Sequence, residues 1–257
     1  MTALLELRGV VVDFDGFQAV GGVDLTIEQG ELRFLIGPNG AGKTSLIDVI
    51  TGLSQPSEGT ITFDGQSLAG VSAAQRVRLG IGRSFQTPTV FDSLTVVENL
   101  DLAETYRVRL ARMLRVRKGL SDGVVATLER IGLQAQANRP AAVLSHGQKQ
   151  WLEIGMLLVQ RPKLVLLDEP VAGMSGSERQ ATGELLQELA ADHTVIVIEH
   201  DMAFLRRFAR SVTVLHEGKI LSEGSVDHVQ GDPRVREVYL GRARDERSGA
   251  VAQEAPA

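Results

Sequence analysis

The chain has 257 residues, 43% of them hydrophobic and 23% charged, enough to bury one large domain or two small lobes. Its net charge of −5 argues against a nonspecific nucleic-acid binder, and the lack of cysteine excludes disulfides and thiolate metal sites. Its apolar runs are strand-sized, well short of the roughly 18 residues of a membrane span. The first residues lack the pattern of a signal peptide. We therefore expect a cytoplasmic chain that reaches a membrane only through a partner.

The first third of the chain is predicted to be mostly sheet, because β-branched residues alternate there with turn signals. The predicted strands span residues 4–13, 22–27, 32–36 and 59–63. A helix over residues 43–50 follows the third of these strands, and Gly52 fits its C-terminal cap.

From about residue 87 to 160 the pattern is mostly helical, with Thr95 and Ser121 as candidate N-caps. A further helix is predicted over about 177–191. The later strands are predicted over residues 163–168, 194–199 and 221–224. The order predicts an α/β fold: a parallel core, an antiparallel β layer and an inserted helical lobe. Residues 241–257 are small and polar and are predicted to form a disordered tail.

The strongest single motif is GPNGAGKT, residues 37–44, which matches the phosphate-binding loop GxxxxGK[ST]. Glycines let backbone N–H groups curl around phosphate oxygens, and the following helix adds its N-terminal dipole. Lys43 can reach the β- and γ-phosphates and the Thr44 hydroxyl can ligate Mg²⁺. The simpler interpretation is a glycine-rich turn between a strand and a helix. The candidate phosphate-binding residues are Gly37, Pro38, Asn39, Gly40, Ala41, Gly42, Lys43, Thr44 and Ser45.

Two later segments narrow the class of phosphate-binding protein. The apolar strand before Asp168 and Glu169 predicts a carboxylate for Mg²⁺ at Asp168 and a general base at Glu169, although such a pair can also simply face solvent. Upstream, Ser145 is predicted to cap a long helix and to form an anion site with its free N–H groups. A capped helix without a ligand is the plainer alternative.

Taken in chain order, these motifs resemble the ABC ATPases, a family with a RecA-like P-loop NTPase core, over nearly the whole chain. The resemblance implies ATP and Mg²⁺ as cofactors. Residues 144–148 (LSHGQ) resemble the signature LSGGQ, residues 164–169 the Walker B strand, and residues 172–175 the D-loop. The catalytic residues that it implies are Lys43, Gln86 of the Q-loop, Glu169 and the switch residue His200. The implied Mg²⁺ ligands are Thr44, Gln86 and Asp168, and the further nucleotide contacts are Phe14, Ser145, Gly147 and Gln148.

Some of these positions carry little weight alone. Phe14, the implied adenine-stacking aromatic, can also be a core residue at a strand end, and Phe17 lies nearby. Gln86 can be a surface glutamine, and His200 a satisfied histidine at a strand edge. The sequence also departs from the family pattern: His146 replaces the first glycine of the signature, and Ser175 replaces the usual D-loop aspartate. The second departure leaves the D-loop's role open.

The sequences of residues 14–17, 82–91 and 144–155 resemble those of ATPases from importers of the branched-chain amino-acid type, most of all the urea-importer ATPase. The resemblance implies an ATPase domain over residues 1–240 with a helical lobe at about 87–160, on the inner face of the cell membrane. It also implies a second ATPase subunit, transmembrane permeases and an external solute-binding protein, and no nucleic acid. An importer for branched-chain amino acids or amides, a soluble ABC protein and a lipid extractor remain alternatives.

Two features of the helical lobe are not absorbed by these motifs. Residues 107–118 hold six basic residues, which suit either anionic headgroups or an acidic partner, or form a solvated helix face. Val90 and Phe91 are apolar residues in a segment otherwise expected to be solvated. They either pack into the lobe's core or form a surface that receives a permease helix.

Overall fold

The computed structural model describes residues 2–105 and 119–239. The strands near the N-terminus form an antiparallel sheet. Its members are β1 (Ala3–Phe14), β2 (Phe17–Glu28), β4 (Glu58–Phe63) and β5 (Gln66–Ser67), in the order β2-β1-β4-β5. Asp15 and Gly16 both have positive φ, 51° and 92°, so the predicted Asp-Gly turn closes the β1–β2 hairpin and sets Phe14 opposite Phe17.

The second sheet is the mainly parallel core. Its members are β3 (Leu32–Ile36), β6 (Ile81–Arg83), β7 (Leu164–Asp168), β8 (Thr194–Ile198), β9 (Ser211–His216) and β10 (Lys219–Gly224), in the order β10-β9-β3-β8-β7-β6. Only β10 runs antiparallel to its neighbour. Every residue of β3, β7 and β8 is buried, as expected for parallel strands covered on both faces.

The α-helices of the described part include α1 (Lys43–Thr51), α2 (Ala73–Leu79), α3 (Val96–Thr105), α4 (Asp122–Arg130), α5 (His146–Leu158), α6 (Gly176–Asp192), α7 (Met202–Phe208) and α8 (Val226–Gly231), and residues 233–239 are also helical. The predicted caps are present. Gly52 ends α1 in the left-handed conformation, Ser121 accepts a hydrogen bond from the Val124 N–H, and Thr95 and Glu98 cap α3 reciprocally. No helix within these described residues combines the length and apolar character that a membrane crossing needs.

Strand β7 shows how the parallel sheet separates two hydrophobic clusters. Val165 and Leu167 point into a cluster shared with α3, α4, α5, α6 and α7, whereas Leu164 and Leu166 point into one shared with α1 and the antiparallel sheet. Alternation along a strand therefore joins the helical part to one face of the core and the β layer to the other. The chain between β6 and β7, which are hydrogen-bonded neighbours, carries α3, α4 and α5.

The structure adds elements that the pattern did not predict. Helix α2 and strand β6 lie where no element was expected, and β2 starts at Phe17 rather than at residue 22. Gly21 and Gly22 weaken the local β signal, but pairing with β1 extends the strand through them. The predicted tail, residues 241–257, and the basic stretch, residues 107–118, lie outside the described residues, and the bounds 87–160 of the lobe stay a prediction.

Candidate functional site

The phosphate loop connects the buried strand β3 to α1, the context that the motif requires. Gly42 has φ 98°, and a Cβ there would lie 2.4 Å from the Ala19 carbonyl oxygen of β2. A Cβ on Gly37 would lie 2.2 Å from the Leu215 carbonyl oxygen of β9. Both positions thus require glycine, because neighbouring backbones press against the outside of the loop. Gly42 makes no side-chain cap at the start of α1, which suits a helix end that binds a phosphate.

Lys43 folds back over this loop. Its Nζ donates to the carbonyl oxygens of Gly37, at 2.7 Å, and Pro38, at 3.0 Å. Thr44 is exposed beside it, and Asn39 and Gly40 form the exposed tip of the loop. An ammonium group held at the mouth of a backbone cradle, next to an accessible hydroxyl, fits a bound phosphate chain and its metal ion.

Asp168 ends β7 and is buried. Burial raises the pKa of its carboxyl, and the Arg83 guanidinium, 3.5 Å away, opposes that shift. Lys43 also acts electrostatically on Asp168, so the predicted Mg²⁺ carboxylate lies near the phosphate loop. Arg83 itself bridges Asp168 to Asp48 of α1 and so ties the strand end to the helix after the loop.

The predicted general base and switch histidine meet at the ends of adjacent strands. Asp168 pairs in register with Ile198, which brings the residues after β7 beside those after β8. The Glu169 carboxylate lies 3.2 Å from Nδ1 of His200. Glu169 adopts φ 50°, unusual for a residue other than glycine, and its N–H donates to the Ile198 carbonyl. The turn after β7 therefore places the carboxylate beside His200, where the predicted base would act on a bound water.

Glu199 completes this corner, and the sequence did not reveal its role. It is buried, and it accepts hydrogen bonds from the N–H groups of Val171, at 3.4 Å, and His200, at 3.1 Å. Burial raises the pKa of Glu199, and these N–H donors oppose the shift. The carboxylate thereby fastens the loop after β7 to the loop after β8. The available signal was an acidic residue directly after an apolar strand.

The aromatic residues Phe14 and Phe17 flank the hairpin turn of β1 and β2 and are 50% and 67% exposed. The interpretation of Phe14 as a core residue is therefore wrong. The hairpin packs on the phosphate loop, because β2 supplies the Ala19 carbonyl that presses on Gly42. The structure presents two aromatic rings on this hairpin, and the choice of Phe14 for adenine stacking stays a prediction.

The signature segment lies elsewhere, at the exposed start of α5. Ser145 accepts a hydrogen bond from the Gln148 N–H, and the Gln148 side chain accepts one from the Ser145 N–H, forming a capping box. Ser145 Oγ also lies 3.4 Å from Glu178 of α6, and a Cβ on Gly147 would lie 2.6 Å from the same carboxylate. The signature therefore packs on the start of α6, whereas the phosphate loop packs on β2 and β9.

The D-loop position is occupied by a helix cap. Ser175 caps α6 through a second capping box, in which the Glu178 carboxylate accepts from its N–H at 2.9 Å and its hydroxyl at 2.7 Å. Hydrogen bonds from Ser175 lower the pKa of Glu178. Glu178 thus joins the caps of α5 and α6. The serine that replaces the usual aspartate keeps a structural task of its own.

Gln86 lies in an exposed loop between β6 and α3, two residues after Ser84, whose hydroxyl accepts a hydrogen bond from the Asp168 N–H at 3.3 Å. The same loop carries Phe85 and Phe91, which are 48% and 50% exposed, and Val90, which is partly buried against the core. Of the two interpretations of this apolar pair, packing into the core applies to Val90, and Phe91 is left at the surface.

Comparison with known proteins agrees with this geometry. A family model described as ABC transporter matches residues 20–172, and one described as branched-chain amino acid ATP-binding cassette transporter matches residues 219–245. The high-affinity branched-chain amino acid transport ATP-binding protein LivG of Salmonella typhimurium is 36% identical over 251 residues, covering 93% of this chain and 98% of that protein. The corresponding protein BraF of Pseudomonas aeruginosa is 34% identical with the same coverage.

Solved structures give the same result. The ADP conformation of MJ1267, an ATP-binding cassette of an ABC transporter, superposes with a TM-score of 0.83 at 31% identity, covering 94% of this chain and 100% of that one. A dimeric post-hydrolysis state of the cassette MJ0796 bound to ADP and Pi has a TM-score of 0.73 at 24% identity, covering 87% and 99%, and shares the fold. The protein therefore belongs to the ATP-binding subunits of ABC transporters and is an ATPase.

Proposed function

We propose that this chain is the ATPase subunit of an importer for branched-chain amino acids, bound to the inner face of the cell membrane by its permeases. The observation that carries the proposal is that relatives named for this transport match along 93% of the chain, and that the matching family segment extends over residues 219–245. Urea is the second candidate, because the motif spellings resemble the urea-importer ATPase. LivG and BraF, both named for amino-acid transport, give that narrower resemblance no support.

In this proposal the ATP phosphates lie in the loop before α1. Lys43 binds the β- and γ-phosphates, with help from the first-turn N–H groups of the helix. Water attacks the γ-phosphorus, the bond to the β–γ bridging oxygen breaks, and Glu169 takes the proton. His200, 3.2 Å from that carboxylate, orients Glu169 and contacts the γ-phosphate side.

Oxygen donors at the site suit Mg²⁺. Thr44, Asp168 and Gln86 would hold the ion, which, when bound, neutralises charge on the β- and γ-phosphates. Within the described part of the chain, no cluster of three or more acidic or histidine side chains is arranged for a metal. Mg²⁺ in nucleotide sites is usually held by one or two protein groups together with the phosphates.

The signature residues act on a second subunit in this proposal. Ser145 and Gln148 lie at the start of α5, where the exposed Ser145 hydroxyl can meet the γ-phosphate bound by the partner, and Gly147, buried beside Glu178, would contribute only its backbone. ATP between the subunits would favour the closed pair, and hydrolysis would let it reopen. The solved dimer of a cassette with the same fold supports this pairing.

The loop 84–95 is the proposed contact with the permeases. Phe91 is half-exposed, and Phe85 lines an apolar groove of about 310 Å³ together with Leu53, Leu157 and Pro162. An apolar groove lined by Phe85, together with the half-exposed Phe91 on the same loop, suits a short amphipathic helix from a membrane subunit.

Phe91→Asp is expected to leave the isolated subunit folded with near-normal ATP affinity, yet to weaken its recovery with the permeases and abolish transport. A charge at an exposed side chain that a permease helix would cover costs several kcal/mol if it stays unpaired. Co-purification and a thermal melt measure the two effects. Val125→Asp, at an exposed site on α4, is the matched control. A large drop in Tm of the isolated Phe91→Asp subunit would mean that Phe91 is structural.

Reconstitution tests the function itself. The chain, its permeases and its binding protein are placed in vesicles with ATP on the ATPase side. We expect ATP-dependent uptake of labelled leucine, isoleucine or valine, and none of urea. Uptake of urea alone would select the second candidate. An ATPase that never co-purifies with membrane subunits would instead be a soluble ABC protein.

A further inference from the structure

Two side chains of α5, Trp151 and Glu153, form hydrogen bonds to different neighbours on opposite sides of the helix. Residues 151 and 153 are two apart, so their side chains do not share a face of the helix. Trp151 Nε1 donates to the Thr182 hydroxyl of α6 at 2.9 Å. Glu153 points the other way, to the loop that carries Gln86.

Glu153 is buried, at 5% exposure, and its contacts to that loop are hydrogen bonds from backbone N–H groups. Oε1 accepts from the Thr89 N–H at 3.1 Å and from the Phe85 N–H at 3.5 Å. Oε2 is buried and has no hydrogen-bond partner among the described residues. Burial raises the pKa of Glu153 to about 7, and the two N–H donors oppose the shift.

Burying the Glu153 carboxyl costs free energy, because the group loses its hydration and Oε2 gains no hydrogen bond in return among the described residues. An apolar side chain of the same size would avoid the burial penalty, but it would leave the Thr89 N–H without its acceptor. The N–H groups that Glu153 holds lie on either side of Gln86. Farther along, Asn99 of α3, also buried, accepts from the Phe91 N–H at 2.8 Å. The loop is thus hydrogen-bonded to α5 at Phe85 and Thr89, on the two sides of Gln86, and to α3 at Phe91.

We propose that Glu153 is a positioning residue for Gln86: it ties the loop at Phe85 and Thr89 to α5, so that Gln86 follows the helix whose start carries the signature. The inference rests on the proposed role of Gln86 at the ATP site. It gives the chain a direct mechanical link between that glutamine and the segment that faces the partner subunit's ATP.

The test compares Glu153→Gln, which keeps an acceptor oxygen, with Glu153→Met, which keeps the size and removes the acceptor. Since displacement of a positioned group by about 1 Å can cost up to about 100-fold, we expect Glu153→Met to lower kcat roughly 10-fold or more. The KM for ATP should stay within about two-fold, because the phosphate loop is untouched. Glu153→Gln should retain most of the wild-type kcat.

A purely structural role of the same hydrogen bonds would also slow Glu153→Met and spare Glu153→Gln, so the Gln86→Ala background separates the two cases. If Glu153 acts through Gln86, adding Glu153→Met to Gln86→Ala should cause no further loss. An additive loss, or a wild-type kcat for Glu153→Met, overturns the inference. Wild-type turnover of Gln86→Ala alone would instead refute the assignment of Gln86 to the ATP site.

Folding is controlled within the same set of proteins. Trp151 is the chain's single tryptophan, so its emission spectrum reports whether α5 still packs on α6. If Glu153→Met does not fold, Thr89→Pro removes the same N–H from the loop side and leaves α5 intact. The same selective loss of kcat is then expected, and normal turnover of Thr89→Pro overturns the proposal.

Discussion

Glu169→Gln is expected to bind ATP normally and to lose turnover by about 10² or more, because an amide cannot take the proton of the attacking water. The carboxylate, just after β7, lies 3.2 Å from His200, and Glu169 is not one of the phosphate-loop residues 37–45 that would bind the nucleotide. Affinity should therefore survive. Since ATP would persist between the subunits, the variant should also accumulate the closed pair, detectable as an ATP-dependent mass shift in solution.

The control for this variant is Glu188→Gln, which makes the same change on the exposed side of α6 and should be silent. Steady-state phosphate release measures turnover, and nucleotide titration measures binding. Wild-type turnover of Glu169→Gln would place the general base elsewhere. Loss of ATP binding would mean that Glu169 supports the nucleotide site itself.

Ser145→Arg and Lys43→Ala should each abolish ATP hydrolysis alone and partly restore it when mixed. Lys43 contacts the phosphate loop at Gly37, whereas Ser145 lies exposed at the start of α5 and contacts Glu178 of α6. The two residues therefore belong to different parts of the chain's surface. In a mixed pair, one of the two composite sites retains both wild-type halves. Partial activity from two inactive proteins therefore indicates that each ATP is shared between subunits.

Ser67→Arg, an exposed serine of β5, is the control for adding an arginine. If Ser145→Arg alone hydrolyses ATP at the normal rate, the signature assignment fails. Where the natural partner is a different ATPase, the two changes are placed in the two subunits of the reconstituted complex. With the Lys43 change in one subunit and the Ser145-type change in the other, both fall in the same composite site and the second site should stay active. With both changes in one subunit, each site loses one half and both should be inactive.

Local signals suffice for the elements around the phosphate loop. Strand Leu32–Ile36 is predicted with its observed bounds, since a short apolar run stands between polar turns. The helix from Lys43 and its Gly52 cap follow from spacing and residue type. Strand Ile81–Arg83 has only three residues, one of them glycine, and its partner β7 is remote in sequence. No local pattern could reveal it.

The same distinction applies to the site. Because adjacent parallel strands end at one edge, motif order alone places Glu169 and His200 at a common site, and the structure brings them together. Glu153 and Glu199 could not be assigned, because their partners include backbone N–H groups of distant loops, which no residue type identifies. Exposure separates Phe91 from Val90, and only the packed structure supplies it.

The contacts of Glu178 with Ser145 and Ser175 limit which residues can evolve at these three positions. It accepts hydrogen bonds from Ser175 and lies 3.4 Å from the Ser145 hydroxyl, so one side chain serves the ends of two helices. A substitution at any of these three positions changes the demand on the other two. Homologous chains should consequently exchange them in concert: an aspartate in place of Ser175, for example, would repel the Glu178 carboxylate and select a neutral or basic residue there.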